Sequence, residues 1–218
     1  MSERPIIFSG ESVRAILAGT KTQTRRVLTV PWHNGKRRLP WSPYYEDENG
    51  VLFVRDDGGD YIAMQDTVSP YGQVGTKLWV REAWRPTMVG LSCGINYAAD
   101  DCTIDYVDRF DELVWLIQDG GGNLPTPGAA KHLHTLRWRP SIFMPRWASR
   151  ITLELTAVRV ERLHAIDDDG AIAEGCEGSY TMTPQEQYAA LWDDINGKRA
   201  PWASNCWVWV LEFRRVKP

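Results

Sequence analysis

The chain has 218 residues, a formal net charge of −3, 43% hydrophobic and 24% charged residues. That is the composition of a soluble globular protein and excludes general disorder. There is no run of about 18 apolar residues, so no membrane span is expected. The start, MSERPIIFSGES, lacks a signal-peptide core with a small-residue cleavage site, which gives a cytoplasmic expectation. The four cysteines form no CxxC pair and read as free thiols in a reducing compartment. The 11 Trp imply either a very aromatic core or a surface for flat ligands.

In chain order, PIIF at 5–8 reads as a short strand. Ser9 can cap a helix over Glu11–Ala18, with Val13, Ile16 and Leu17 as its apolar face and Gly19 as its left-handed stop. After the turn YGQVG, Lys77–Glu82 reads as a strand. ITLELTAVRVERL, Ile151–Leu163, alternates and is rich in β-branched residues, so it reads as a long strand. Asp167 or Asp168 starts a short helix that Gly175 ends. Thr183-Pro184-Gln185-Glu186 combines a capping box with Pro at the first helical position. That helix runs to about Ile195 and stops at Asn196-Gly197. Cys206–Val216 is the closing strand. Strands from distant segments with short helices between them give an α+β class and suit a small barrel.

The charge is unevenly spread. Residues 1–41 hold 8 Lys and Arg against 2 Asp and Glu, and residues 136–150 hold 4 against none. Residues 42–135 hold 6 against 15. Two basic stretches therefore bracket an acidic middle that is dense in turn signals, such as EDENG, RDDGGD and DGGGNLPTPG. We read 1–218 as one domain with insertions at about 30–68 and 85–135, the second a surface for a protein partner.

Gly19-Thr20-Lys21-Thr22-Gln23-Thr24-Arg25-Arg26 reads as a turn crowded with hydroxyls and cations. Lys21 can serve as a base for the Thr24 hydroxyl if burial or cationic neighbours lower its pKa. The same residues, Thr22, Arg25 and Arg26 included, can cradle a phosphate, and a solvated basic turn is the plain alternative. A second basic stretch, LRWRPSIFMPRWASR, interleaves Arg137, Arg139 and Arg146 with Trp138 and Trp147, and Trp79, Arg81, Trp84 and Arg85 repeat the mixture. Trp can stack on a base while Arg meets phosphate; the alternative is Trp in the core under Arg stems. Trp79, Trp207 and Trp209 fall on expected strands and read as core. His132 and His134 lack a third partner, so no metal site is expected, and no cofactor either. P-loop, dinucleotide glycine, GxSxG and HExxH motifs are absent, which removes the commoner nucleotide hydrolases, dehydrogenases, esterases and zinc proteases.

ILAGTKTQTRR after a strand and helix resembles the hallmark of ASCH domains, of the PUA-like superfamily. GQVGTKLWVRE resembles that family's strand entered through a Gly-Asp turn, with Thr76 where Asp is usual. ITLELTAVRVERLHAI, AIAEG and WVWVLEF resemble its long strand, following helix and closing strand. RPSIFMPRWASRI and INGKRAPWASNCWVWVLEF resemble a larger, phage- or prophage-associated branch. The resemblance implies a PUA-like small mixed β-barrel with flanking helices and a cleft beside GTKTQTRR that recognises RNA, DNA or a modified nucleoside. One small branch deacylates N4-acetylcytidine with Lys, Thr and Glu, which Lys21, Thr24 and Glu174 match by position. The expectation is nucleic-acid or modified-nucleobase recognition. Amidohydrolysis of N4-acylcytidine-like nucleosides is the first alternative, and a phage assembly or interaction protein the second.

Overall fold

The structure is a computed structural model that describes residues 3–28, 44–46, 52–55, 61–63, 69–89, 92–105 and 137–216. The strands are β1 (Glu3–Ile7), β2 (Gln23–Val27), β3 (Tyr44–Glu46), β4 (Leu52–Arg55), β5 (Tyr61–Ala63), β6 (Lys77–Arg81), β7 (Trp84–Val89), β8 (Ser92–Tyr97), β9 (Thr103–Asp105), β10 (Thr152–Arg162) and β11 (Trp207–Val216). The helices are α1 (Gly10–Ala18), α2 (Asp168–Ala173) and α3 (Pro184–Asn196). The fold is mixed α+β. One sheet has the order β1-β6-β10-β11-β2, and β3-β4-β5 and β7-β8-β9 form two three-stranded sheets. The larger sheet has β1 and β2 as its edges, so among the described residues it is open and does not close into the expected barrel. No helix among the described residues is long and apolar enough to cross a membrane.

The chain divides into two compact units. One comprises Met1–Arg4, Gly19–Lys77 and Glu154–Arg215, the other Pro5–Ala18, Leu78–Leu153 and Val216–Pro218.

In the first unit, β11 pairs antiparallel with β2, which places Val208 opposite Val27, Val210 opposite Arg25 and Glu212 opposite Gln23. Cross-strand partners share a sheet face and neighbours along a strand alternate. Gln23, Arg25 and Val27 therefore look one way, and Thr24 and Arg26 the other. The first face is covered by a core of Leu163, Ile166, Ala171, Cys176, Tyr188, Trp192, Val208 and Val210. The stretch QTRRV, expected to be part of a turn, is thus a strand: its polar side chains gave no strand signal, and the pairing comes from the apolar β11.

The helices that complete this core carry the expected local signals. Asp167 caps α2 by accepting the Gly170 amide at 2.8 Å. The helix ends in a Schellman arrangement, with Cys176 N–H on Ala171 O at 3.0 Å and Gly175 N–H on Ile172 O at 2.8 Å. Gly175 makes this possible with φ +90°, a left-handed conformation that a Cβ disfavours. Helix α3 has its full capping box between Thr183 and Glu186 and buries Tyr188 and Trp192, one turn apart. The Trp192 indole N–H reaches Ala200 O at 2.8 Å. At the YGQVG turn, the Thr76 hydroxyl accepts the Gln73 amide at 3.0 Å, the short-range capping that Asp supplies in such turns.

In the second unit, Ser9 Oγ accepts the Ser12 amide at the start of α1, whose Val13 and Ile16 are buried. β7, β8 and β9 form an antiparallel meander with Trp84 opposite Tyr97 and Ile95 opposite Ile104. Arg139 joins β7 by a two-way bridge, donating to Trp84 O at 2.7 Å and accepting the Trp84 amide at 3.2 Å. The rest of the acidic segment, 106–136, lies outside the described residues, as do His132 and His134.

Candidate functional site

Two arrangements bear on function, one in each unit. The first is a buried charge cluster. The Schellman end of α2 fixes the Glu174 carbonyl, and Lys21 Nζ donates both to it and to Glu174 Oε2, each at 2.6 Å. Both side chains are 4% exposed. A second link, Thr22 N–H on Ala173 O at 2.9 Å, ties the segment after α1 to the same helix end. Arg25 Nη1 stands 3.6 Å from Glu174 Oε1 and Arg25 Nη2 3.4 Å from Glu161 Oε2. Arg159 pairs with Glu161 and Glu212, and its Nη2 donates to Gln23 Oε1 at 3.3 Å. Three cations therefore face three carboxylates. Within this set the charges match, and Arg26, on the other face of β2, stands outside it.

Four polar atoms of the cluster, Arg25 Nε and Nη1, Gln23 Nε2 and Glu174 Oε1, are buried without a hydrogen-bond partner. Groups of this kind usually find one. Tyr188 closes the cluster, with the Arg25 guanidinium 6.0 Å from its ring centre. Burial first, and the Glu174 carboxylate second, hold the Tyr188 phenol well above its ordinary pKa, so the ring is neutral. For Arg159, burial opposes the charge, but the hydrogen bonds to Glu161 and Glu212 outweigh it and raise the pKa.

Of the residues singled out in the sequence, Lys21 and Glu174 meet. Thr24 does not join them: it is buried, lies on the other face of β2, and makes no hydrogen bond to either residue among the described ones. Arg26 shares Thr24's face and is half-buried, and the Thr22 side chain is exposed. Gln23, Arg159, Glu161 and Glu212 were missed. The alternation in ITLELTAVRVERL carried part of the signal, since it puts Arg159 and Glu161 on one face of β10.

The second arrangement is the segment from Arg137 to Arg150. The bridge at Arg139 anchors its start. A short 3-10 turn over Ser141–Phe143 follows, and Met144 is fully buried. Trp138, just before the first anchor, and Ile142 and Phe143, between the two, stand 43%, 57% and 69% exposed. The Arg85 guanidinium carbon lies 4.4 Å from the Trp138 ring centre, a cation–π contact that holds the indole in place. Arg137 is exposed.

The other Trp and Arg residues of the basic stretches pack differently. Trp84 is 1% exposed, with the Arg139 guanidinium 5.6 Å from its ring centre, so it presents no face to a base. Trp147 and Arg146 are half-buried, and Arg146 Nη2 reaches Thr152 Oγ1 at 3.4 Å. Arg81 lies over Trp79 at 4.5 Å. Trp79 and Trp209 are buried, as expected for core strands, while Trp207 is half-buried beneath Arg162. Phe143 was not among the expected contacts.

Among the described residues no three His, Cys, Asp or Glu side chains gather as a metal site. Compared with known proteins, the chain matches no family model, no curated protein and no solved structure.

Proposed function

We propose that this chain recognises nucleic acid, and that the anchored segment around Trp138 makes the contact. The observation that carries the reading is an exposed indole, held by Arg85 and next to the exposed Arg137, in a stretch with four Arg and no acidic residue between positions 136 and 150, of which Arg150 is taken up by Glu82 and Asp100. Flat apolar faces take bases, and exposed Arg takes phosphate. The ASCH-like identity and a PUA-like architecture belong to the same proposal. They are supported by the strand, helix and Gly19 stop that lead into GTKTQTRR, with Gly19 at φ +83°. Because the Lys21 and Arg25 side chains are buried and paired with Glu174, we place the contact at Trp138 rather than at that loop.

Fluorescence anisotropy with labelled RNA and DNA, single- and double-stranded, tests the reading. Binding is expected to weaken steeply with salt, and Arg137→Ala is expected to reduce the slope of log K against log salt by about one released counterion. Absence of binding to every one of these probes at about 50 mM salt overturns the proposal.

A second reading, deacylation of an N4-acylcytidine-like nucleoside, is favoured by the Lys21–Glu174 pair. Donors on Arg25 and Gln23 beside an acceptor on Glu174 would complement a planar group that carries both a carbonyl and an N–H. In this reading, N4-acetylcytidine incubated with the protein yields cytidine, and Lys21→Ala abolishes the release, while Thr24→Val tests whether the threonine on the opposite face of β2 takes part. Cytidine release that survives Thr24→Val removes the threonine from the chemistry, and no release removes the reading for this substrate.

A further inference from the structure

We infer that the Trp138 surface takes unpaired nucleotides, stacking one base on Trp138 and a second apolar face on Phe143, so that it binds single strands in preference to duplexes. This deepens the nucleic-acid reading and rests on it. Three features of the segment point this way.

The exposed groups offer faces rather than edges. Reading a duplex groove relies on side chains that meet base edges, chiefly Asn, Gln and forked Arg. Residues 137–150 contain no Asn or Gln, and of their four Arg only Arg137 is exposed. The exposed apolar surface is instead a partly open indole, a phenyl ring and an Ile side chain. In a duplex the base faces are already stacked on one another and unreachable, so rings of this kind find a partner only in a strand whose bases are free.

The platform is fixed in advance. The Arg139 bridge to β7 lies one residue after Trp138, and the buried Met144 lies one residue after Phe143. The Phe143 amide also bonds back to Pro140 O at 3.0 Å. Arg85 occupies one side of the indole, and Trp138 as a residue remains 43% exposed. A ring already ordered loses little conformational freedom when a base stacks on it.

The charge complements a phosphate chain. Arg137 stands exposed beside Trp138, and no carboxylate is nearby in sequence from 136 to 150. An apolar patch alone would suit a protein partner equally. Arg150 is taken up by Glu82 and Asp100, but Arg137, together with Arg85 on the indole, keeps the setting of Trp138 basic, which favours a polyanion.

The test compares labelled oligonucleotides of about 12 nucleotides, as single-stranded RNA, single-stranded DNA and the corresponding duplexes, against the full chain. We expect the single strands to bind at least tenfold tighter than the duplexes, with quenching of Trp fluorescence. The two single-stranded arms decide between RNA and DNA. Trp138→Ala is expected to weaken single-strand binding about 5- to 100-fold, as removal of one stacked base does, and to leave duplex binding unchanged. Trp138→Phe retains most of the affinity, and Phe143→Ala gives a smaller loss in the same direction. Trp138 and Phe143 are exposed, so unchanged thermal unfolding of these variants serves as the folding control. Duplexes bound as tightly as single strands, or Trp138→Ala weakening both alike, overturn the single-strand inference and leave nucleic-acid recognition standing. No binding of any oligonucleotide overturns both. Self-association that Phe143→Ala abolishes, without oligonucleotide binding, assigns the face to protein contact and also overturns the inference.

Discussion

Glu174→Ala is expected to destabilise the protein by about 3–5 kcal/mol, the usual loss when one partner of a buried ion pair is removed. Glu174 is paired with both Lys21 and Arg25, whose side chains are 4% and 2% exposed, and it is itself 4% exposed. Without it Lys21 keeps only the backbone carbonyl of residue 174, and Arg25 keeps only its contact to the quarter-exposed Glu161. Two cations then sit in a core of Ile166, Ala171, Tyr188 and Val210 with too little negative charge. The urea midpoint at neutral pH reads the loss. Glu174→Gln should fall nearly as far, because the amide accepts a hydrogen bond but carries no charge. Glu161→Gln should cost less than about 1 kcal/mol, since that carboxylate is a quarter exposed and water screens it. Replacing both Lys21 and Glu174 by Met and Leu should recover part of the loss, because apolar groups of similar volume often substitute well for a buried pair. A Glu174→Ala variant within about 1 kcal/mol of the wild type would mean that the cluster is solvated and that the cations do not depend on Glu174.

The parts of this molecule that were legible in its sequence are those whose causes are local. Ser9 and Gly19 bound α1, Asp167 and Gly175 bound α2, and Thr183 to Glu186 starts α3, because each signal and its effect lie within one helical turn. β10 and β11 were legible through β-branched and aromatic density. β2 was not: Gln23, Thr24, Arg25 and Arg26 resemble a solvated turn, and they form a strand because β11, almost two hundred residues later, supplies the ladder. That register also decides the site. It sends Arg25 toward Glu174 and Thr24 to the opposite face, a separation of adjacent residues that motif spacing cannot express. The Lys21–Glu174 partnership spans 153 positions and was reached only through resemblance. The exposure of Trp138 against the burial of Trp84 was likewise invisible, since both sit beside Arg in sequence and only the bridge at Arg139 distinguishes them.

The same logic governs the other buried cation, which no motif announced. Arg150 donates from Nε and Nη2 to both oxygens of Glu82, at 2.8 and 2.9 Å, and from Nη1 and Nη2 to Asp100, both at 2.9 Å. Its guanidinium also lies 4.2 Å from the Tyr97 ring centre. Burial opposes the Arg150 charge, but these hydrogen bonds outweigh it and hold its pKa above the ordinary value. Glu82 is 2% exposed, and burial raises its pKa even though Arg150 pulls it down. Asp100, more exposed, has its pKa lowered mainly by its hydrogen bond from Arg150. Arg150→Ala therefore strands Glu82, and we expect a loss of about 3–5 kcal/mol near neutral pH. The loss carries a pH signature. In the wild type, Asp100 has a folded pKa below its unfolded one, so its contribution is present above the unfolded value, about 3.9, and fades on acidification through the folded value. In the variant that contribution is gone, and Glu82, without Arg150, has a folded pKa further above its unfolded value of about 4.3. Its penalty grows as pH rises through that window and vanishes below it. The difference between wild type and Arg150→Ala in urea midpoints should accordingly shrink as pH is lowered from 7 toward 4. Arg150→Lys should recover only part of the stability, because an ammonium cannot form the forked contacts to two carboxylates at once. A difference that stays constant across this range would place the loss in the packing of the Arg150 stem on Tyr97 rather than in the abandoned carboxylate.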